Sequence, residues 1–279
     1  MLKARVVTAL LLLAGFLAVL FLLPFSGWLL FASVVAGVGA WEWGGLMKLD
    51  VSGRRNYALA LMALCAALGW LAFDIGTGIT RQASLLSAIF VLAAAFWLLA
   101  VPLWLRNKWP TSARIPGLLA GATVLIPACL ALMQLRVFAP LFLLASMASV
   151  WVADISAYIC GRTFGRHKLA PAISPGKTWE GAIGAIAGVL IYGLAVAWAA
   201  GRMPSTSGAW ILFAMSLIVL TAVSILGDLF ESLAKRQAGV KDSGTTLPGH
   251  GGVLDRIDSL TSTLPLVGLA VLFWERQLP

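Results

Sequence analysis

Residues 208–258 read GAWILFAMSLIVLTAVSILGDLFESLAKRQAGVKDSGTTLPGHGGVLDRID. The first part, 208–230, is an apolar run long enough to cross roughly 30 Å of hydrocarbon as a helix. The remainder has the opposite character. Residues 228–258 gather five of the eleven carboxylates, four of the twenty Lys/Arg and one of the two histidines. Charge is costly to place in a membrane protein, so this concentration marks a functional segment. A solvated basic loop would account for the cations but not for the interleaved acids and glycines.

Eight more apolar runs lie at about 6–23, 26–47, 57–75, 84–105, 115–135, 138–160, 180–201 and 259–275. Lipid cannot satisfy free backbone groups, so the runs must be helices, and they are too long for barrel strands. Composition agrees: 61% of the 279 residues are hydrophobic, 11% are charged, and the mean hydropathy is +0.95. A soluble domain carries about a quarter charged residues, so that class is excluded. The expected fold is all-α: a polytopic integral membrane protein with about nine transmembrane helices. Lys3 and Arg5 before the first run are reminiscent of a signal peptide. The run exceeds a usual signal core and no small-x-small cleavage site follows, so a retained first helix is expected.

The cations orient the chain. With the N-terminus inside, sixteen of the twenty Lys/Arg fall on inner segments: the N-terminus, 48–55, 106–114, 162–177 and 235–256. The positive-inside rule then places the N-terminus and the long connections 161–179 and 231–258 in the cytoplasm. A bacterial inner membrane is the expected location. The net charge of +9 suits anionic lipid and phosphate, and no nucleic-acid partner is implied. Before residue 150 only Glu42, Asp50 and Asp74 are acidic. Residues 1–140, about five helices, therefore read as scaffold and 141–279 as the catalytic region. Cys65, Cys129 and Cys160 fall in spans without a CxxC and read as small packing residues. Trp28, Trp104, Trp109, Trp179, Trp210 and Trp274 fall near span ends, where an interfacial belt is expected.

Asp154 lies within the sixth run and Asp228 near the end of the eighth. Ser224, Asp228, Glu231, Ser232 and Lys235 are spaced by three or four and share one helix face. This polar stripe leads into Lys241-Asp242-Ser-Gly, then Pro248-Gly-His250-Gly251-Gly252, then Asp255-Arg256-Ile-Asp258. Asp228, Asp242, Asp255 and Asp258 supply hard oxygen ligands among the donors Lys235, Arg236, Lys241 and Arg256. Carboxylates with phosphate oxygens are the usual surroundings of Mg²⁺, and flanking cations grip phosphate charge. The combination points to phosphoryl or nucleotidyl transfer at the membrane surface. Zinc is disfavoured, since the only histidines are His167 and His250 and no HExxH is present. In the other long connection, Ser174-Pro-Gly-Lys177-Thr-Trp-Glu-Gly181 carries Ser174 and Lys177 toward a phosphate. Gly176-Lys177-Thr178 is not a P-loop, because Pro171 stands where its first glycine belongs. An N-cap before Pro175 is the lesser alternative for Ser174. Gly184 and Gly188 read as close helix packing.

Ser232-x-x-Lys-Arg-x4-Lys-Asp-x-Gly-x2-Leu-Pro-x-His-Gly-Gly-Val-x-Asp-Arg-Ile-Asp258 resembles the signature of CDP-diacylglycerol synthases, or phosphatidate cytidylyltransferases. The Ser174–Gly181 segment and the Asp154…Tyr158 stretch are similar to that family too. The specific likeness covers roughly 150–265. Ala234 stands where the family generally has a larger apolar residue, and a larger group is expected to be accepted there. The resemblance implies that CTP and phosphatidic acid give CDP-diacylglycerol and pyrophosphate with Mg²⁺. It also implies a dimer with a site open to the cytoplasm and a metal pair on Asp228 and Asp255. Asp154, Asp242 and Asp258 are further candidate ligands. Asp228, Asp255, Lys241 and Arg256 are the expected catalytic residues. Ser174, Lys177, Ser232, Lys235, Arg236, His250, Gly251 and Gly252 are the expected substrate contacts. Two other readings stay open: a CTP-dependent polyprenol or dolichol kinase, and a transporter using Asp154 and Asp228 as coupling sites.

Overall fold

The computed structural model describes the backbone of residues 2–111, 114–247 and 251–275, so His250 lies outside the described residues. Its helices are α1 (Leu2–Leu22), α2 (Phe25–Leu46), α3 (Val51–Ala72), α4 (Ala83–Asn107), α5 (Arg114–Phe138), α6 (Pro140–Phe164), α7 (Trp179–Ala199), α8 (Ser207–Ala238) and α9 (Leu254–Glu275). Among the described residues, eight helices, α2 to α9 (α5 counted from Ile115), are long and apolar enough to cross a membrane. The helical expectation holds at every run, and the boundaries have local causes. Asp50 starts α3 by accepting the Gly53 N–H at 3.1 Å, and Thr206 starts α8 by accepting that of Ala209 at 3.2 Å. Gly239, at φ +80°, ends α8 in the left-handed conformation that closes helices.

Three expectations about the connections are corrected. First, α8 runs to Ala238 and α9 begins at Leu254, so residues 231–238 and 254–258 are helical and the loop is only 239–253. Leu229, Phe230, Leu233 and Ala234 are buried; this apolar face keeps the chain helical. Second, 165–178 contains an antiparallel hairpin, β1 (Lys168–Ala170) with β2 (Ser174–Thr178), pairing Lys168 with Thr178 and Ala170 with Ser174. Strands this short carry no alternation to read. Third, Ser174 lies in β2, and the N-cap of α7 is Thr178, whose hydroxyl accepts the Gly181 N–H at 3.1 Å.

The core explains two further differences. Trp28 is wholly buried and donates to the Leu132 carbonyl at 3.1 Å, with the Arg136 guanidinium 5.2 Å from its ring; it belongs to the core rather than an interfacial belt. Ala234 is buried beside an aromatic group in which Phe230 meets Trp43, Phe96, Trp97 and Trp104 at 5.5–6.0 Å. A larger side chain there would meet occupied space. One π-turn, Phe96–Ala100, interrupts α4 where it presents Phe96 and Trp97 to this group. Against α6, a Cβ on Gly184 would stand 2.4 Å from Cys160 Cβ, and one on Gly188 2.1 Å from Ser156 Oγ. The glycines therefore set the close approach of α6 and α7.

The connections expected on one side do meet. Gln237 Oε1 accepts from the N–H and hydroxyl of Thr111 at 2.7 and 2.8 Å. Arg236 Nε donates to the Ile173 carbonyl at 3.4 Å. Ile173 is buried against Leu229 and Leu233, which docks the hairpin on α8.

Candidate active site

Docking the hairpin on α8 determines the site. β2 carries Lys177 to Asp228, with Nζ 2.7 Å from Oδ2. Ser232, one turn along α8, donates to Asp228 Oδ1 at 3.2 Å. The hairpin base is closed by the Trp179 N–H on the His167 carbonyl at 3.0 Å, and by His167 Nδ1 2.7 Å from Glu180 Oε1. Asp154 of α6 and Asp258 of α9 lie within electrostatic reach of Asp228, and Asp154 also faces Lys177.

One turn further along the same face of α8, Lys235 Nζ sits 2.7 Å from both Glu231 Oε2 and Asp255 Oδ1. Asp255 Oδ2 accepts three more donors: the Ser243 N–H and hydroxyl, each at 3.0 Å, and the Gly252 N–H at 2.8 Å. Five carboxylates, Asp154, Asp228, Glu231, Asp255 and Asp258, thus face two ammonium groups. Glu231 Oε1 is buried without a hydrogen-bond partner and lines a narrow cavity with Trp43, Trp97, Asp258 and Thr261.

This excess of carboxylate oxygens, from exposed Asp154 to buried Glu231, fits a divalent cation better than a neutral ligand. Among the described residues, no three His, Cys, Asp or Glu side chains converge as a closed cage. Mg²⁺ sites usually use one or two carboxylates and complete their shell with water and substrate phosphates, so the donor set fits. Of Asp255, Oδ1 is the oxygen that can be offered, in exchange for Lys235, since Oδ2 already holds three donors.

The other expected residues are more dispersed. Arg236 is exposed and bonds the Ile173 and Val240 carbonyls. Lys241 and Asp242 are exposed on the loop, and Arg256 is exposed on the first turn of α9. Ser174 is half-buried on the hairpin. Gly251 adopts φ +82°, and a Cβ there would stand 2.8 Å from Asp255 Oδ2, so both its conformation and its bulk require glycine. One contributor was given no role from sequence: Glu42 of α2 is fully buried and reaches the loop 239–253 from about two hundred positions away. A lone acid inside an apolar run was the available signal.

A model of the Cytidylyltransferase family matches residues 3–274. The chain is 42% identical to a phosphatidate cytidylyltransferase of Pseudomonas aeruginosa, over 98% of this chain and 97% of that protein. It is 36% identical to one from Haemophilus influenzae, over 95% and 96% of the two chains, and 37% identical to one from Brucella suis, over 91% and 87%. By these matches the chain belongs to the cytidylyltransferase family.

Proposed function

We propose that the chain is a phosphatidate cytidylyltransferase, converting CTP and phosphatidic acid to CDP-diacylglycerol and pyrophosphate. An oxygen of the lipid phosphate attacks the α-phosphorus of CTP. The bond from that phosphorus to the bridging oxygen of the β-phosphate breaks, and pyrophosphate leaves with the electron pair. A phosphate monoester is already ionised at neutral pH, so no strong base is required.

The meeting of Lys177 with Asp228 carries the reading, because it brings a cation for phosphate to the carboxylates for a metal. Lys177 can exchange Asp228 for the lipid phosphate, beside Ser174. Exposed Arg236, Lys241 and Arg256, with Gly251 and Gly252 allowing close approach of the loop and with His250, hold the triphosphate. Lys235 holds Glu231 and yields Asp255 Oδ1 when the metal is bound. Asp228, and Asp255 through Oδ1, would each offer a carboxylate to Mg²⁺, with water and substrate phosphates completing its shell, while Asp154 and Asp258 add negative charge beside Asp228. When bound, this ion neutralises charge on the transferring group. Residues 1–140 serve as scaffold and 141–279 carry the transfer. In this reading the site opens to the cytoplasmic face of a bacterial inner membrane, and the chain works as the homodimer that the resemblance implies.

Asp228→Asn and Asp255→Asn test the assignment, since each preserves shape while removing charge. Both are expected to abolish turnover with membrane insertion intact. Near-normal activity in either would remove that aspartate from the machinery.

A further inference from the structure

Glu42 enters the loop from a helix outside the signature. It is fully buried, and among the described residues its four hydrogen-bond donors are uncharged. Oε1 accepts from Thr246 Oγ1 at 2.5 Å and the Val253 N–H at 2.9 Å. Oε2 accepts from Ser243 Oγ at 3.2 Å and the Leu254 N–H at 2.7 Å. Each oxygen thus takes one hydroxyl and one backbone amide, and the loop is drawn closed around a single carboxylate. Val253 and Leu254 begin α9, whose first amides have no partners within the helix. Glu42 supplies those partners from α2.

The two glycines nearest the carboxylate make room for it. A Cβ on Gly252 would stand 2.5 Å from Glu42 Oε2 and 2.2 Å from Ser243 Oγ; one on Gly244 would stand 3.0 Å from Oε1. Ser243 Oγ also lies 3.0 Å from Asp255 Oδ2, so one hydroxyl proton is shared between two carboxylates. A continuous line therefore runs from Glu42 through Ser243 and Asp255 to Lys235.

We propose that Glu42 is a positioning residue that holds the loop segments 243–247 and 251–253 and the first turn of α9 in the arrangement that receives the nucleotide. It acts through Ser243, Thr246 and the amides of Val253 and Leu254, and touches neither substrate itself. Its effect falls on CTP rather than the lipid, because Lys241, Gly251 and Gly252 lie on the loop it closes while Lys177 and Ser174 lie on the hairpin. The inference rests on the triphosphate assignment above.

The test uses Glu42→Gln in the full-length protein in lipid nanodiscs. The amide nitrogen would face a backbone N–H where an acceptor is needed. The KM for CTP is expected to rise roughly ten-fold, as loss of one buried hydrogen bond implies. The KM for phosphatidate should stay unchanged, and amide hydrogen exchange should quicken in the loop and at the first turn of α9 while the other helices keep their protection. Thr246→Val removes one donor at the loop surface and leaves the helices untouched; it should shift the CTP KM less, in the same direction. An unchanged CTP KM in both variants would overturn the proposal. So would a fall in activity with both KM values unchanged and faster exchange throughout the bundle, which would mean a merely structural role. If wild-type protein fails to use CTP, the functional reading fails, while the exchange arm still reports on Glu42 by itself.

Discussion

Replacing Lys235 by methionine removes a charge and keeps most of the side chain's shape. Lys235 Nζ is 2.7 Å from each of two carboxylates, and the side chains of Lys235, Glu231 and Asp255 are only 12%, 4% and 7% exposed. Asp255 would retain Ser243 and Gly252 as donors. Glu231 would be left worse off, since Oε2 loses Lys235 and Oε1 has no partner to begin with. Breaking a buried ion pair from one side costs about 3–5 kcal/mol, because the remaining charge is uncompensated. The loss can be read by unfolding the detergent-solubilised protein with a thiol-reactive dye, which reaches buried Cys65 and Cys129 only as helices separate. The double variant Lys235→Met/Glu231→Gln removes the stranded charge as well and should recover much of the loss. A destabilisation below about 1 kcal/mol, the range of exposed pairs, or a double variant no better than the single, would refute the buried-triad reasoning.

Ala234→Phe is expected to destabilise by about 1–3 kcal/mol through overpacking against the Phe230 group, measured by the same dye; wild-type stability would mean that the space is not filled. Gly184→Ala should loosen the α6–α7 contact, read as faster hydrogen exchange in those two helices, and unchanged exchange would contradict the close packing. Asp74, in the 73–82 connection, has its carboxyl held below the ordinary value of 3.8 by the Thr77 N–H, with the Thr77 hydroxyl and Arg81 adding to it. Its stabilising effect is therefore present above pH 3.8 and lost as pH falls through its lower folded value. Exchange in that connection should quicken only in that acid window, and Asp74→Asn should remove the pH dependence.

The spans were legible because apolar runs of membrane length leave the backbone only the helical solution. The stripe from Ser224 to Lys235 was legible too, since helical spacing alone puts Asp228, Ser232 and Lys235 on one face. The extension of α8 to Ala238 was not, because its charged face dominates the local composition while Leu233 and Ala234 supply the burial that keeps it helical. The hairpin escaped because Lys168–Ala170 and Ser174–Thr178 are too short to alternate, and their placement depends on Ile173 finding Leu229 and Leu233. Glu42 escaped for a different reason: its partners are about two hundred positions distant, and nothing local distinguishes a capping acid from a stray one. Trp28 was misplaced because a tryptophan near a span end satisfies an interface and a core equally well until Leu132 and Arg136 are brought beside it.

The central claim is cytidylyl transfer to a lipid phosphate. The most direct measurement supplies purified protein in lipid with Mg²⁺, phosphatidic acid and CTP labelled at the α-phosphate. Label is expected in the lipid phase with one pyrophosphate released per lipid labelled, both lost in Asp228→Asn and on chelation of the metal. Lipid that remains unlabelled with folded protein, or that takes label only from the γ-phosphate, would contradict the account.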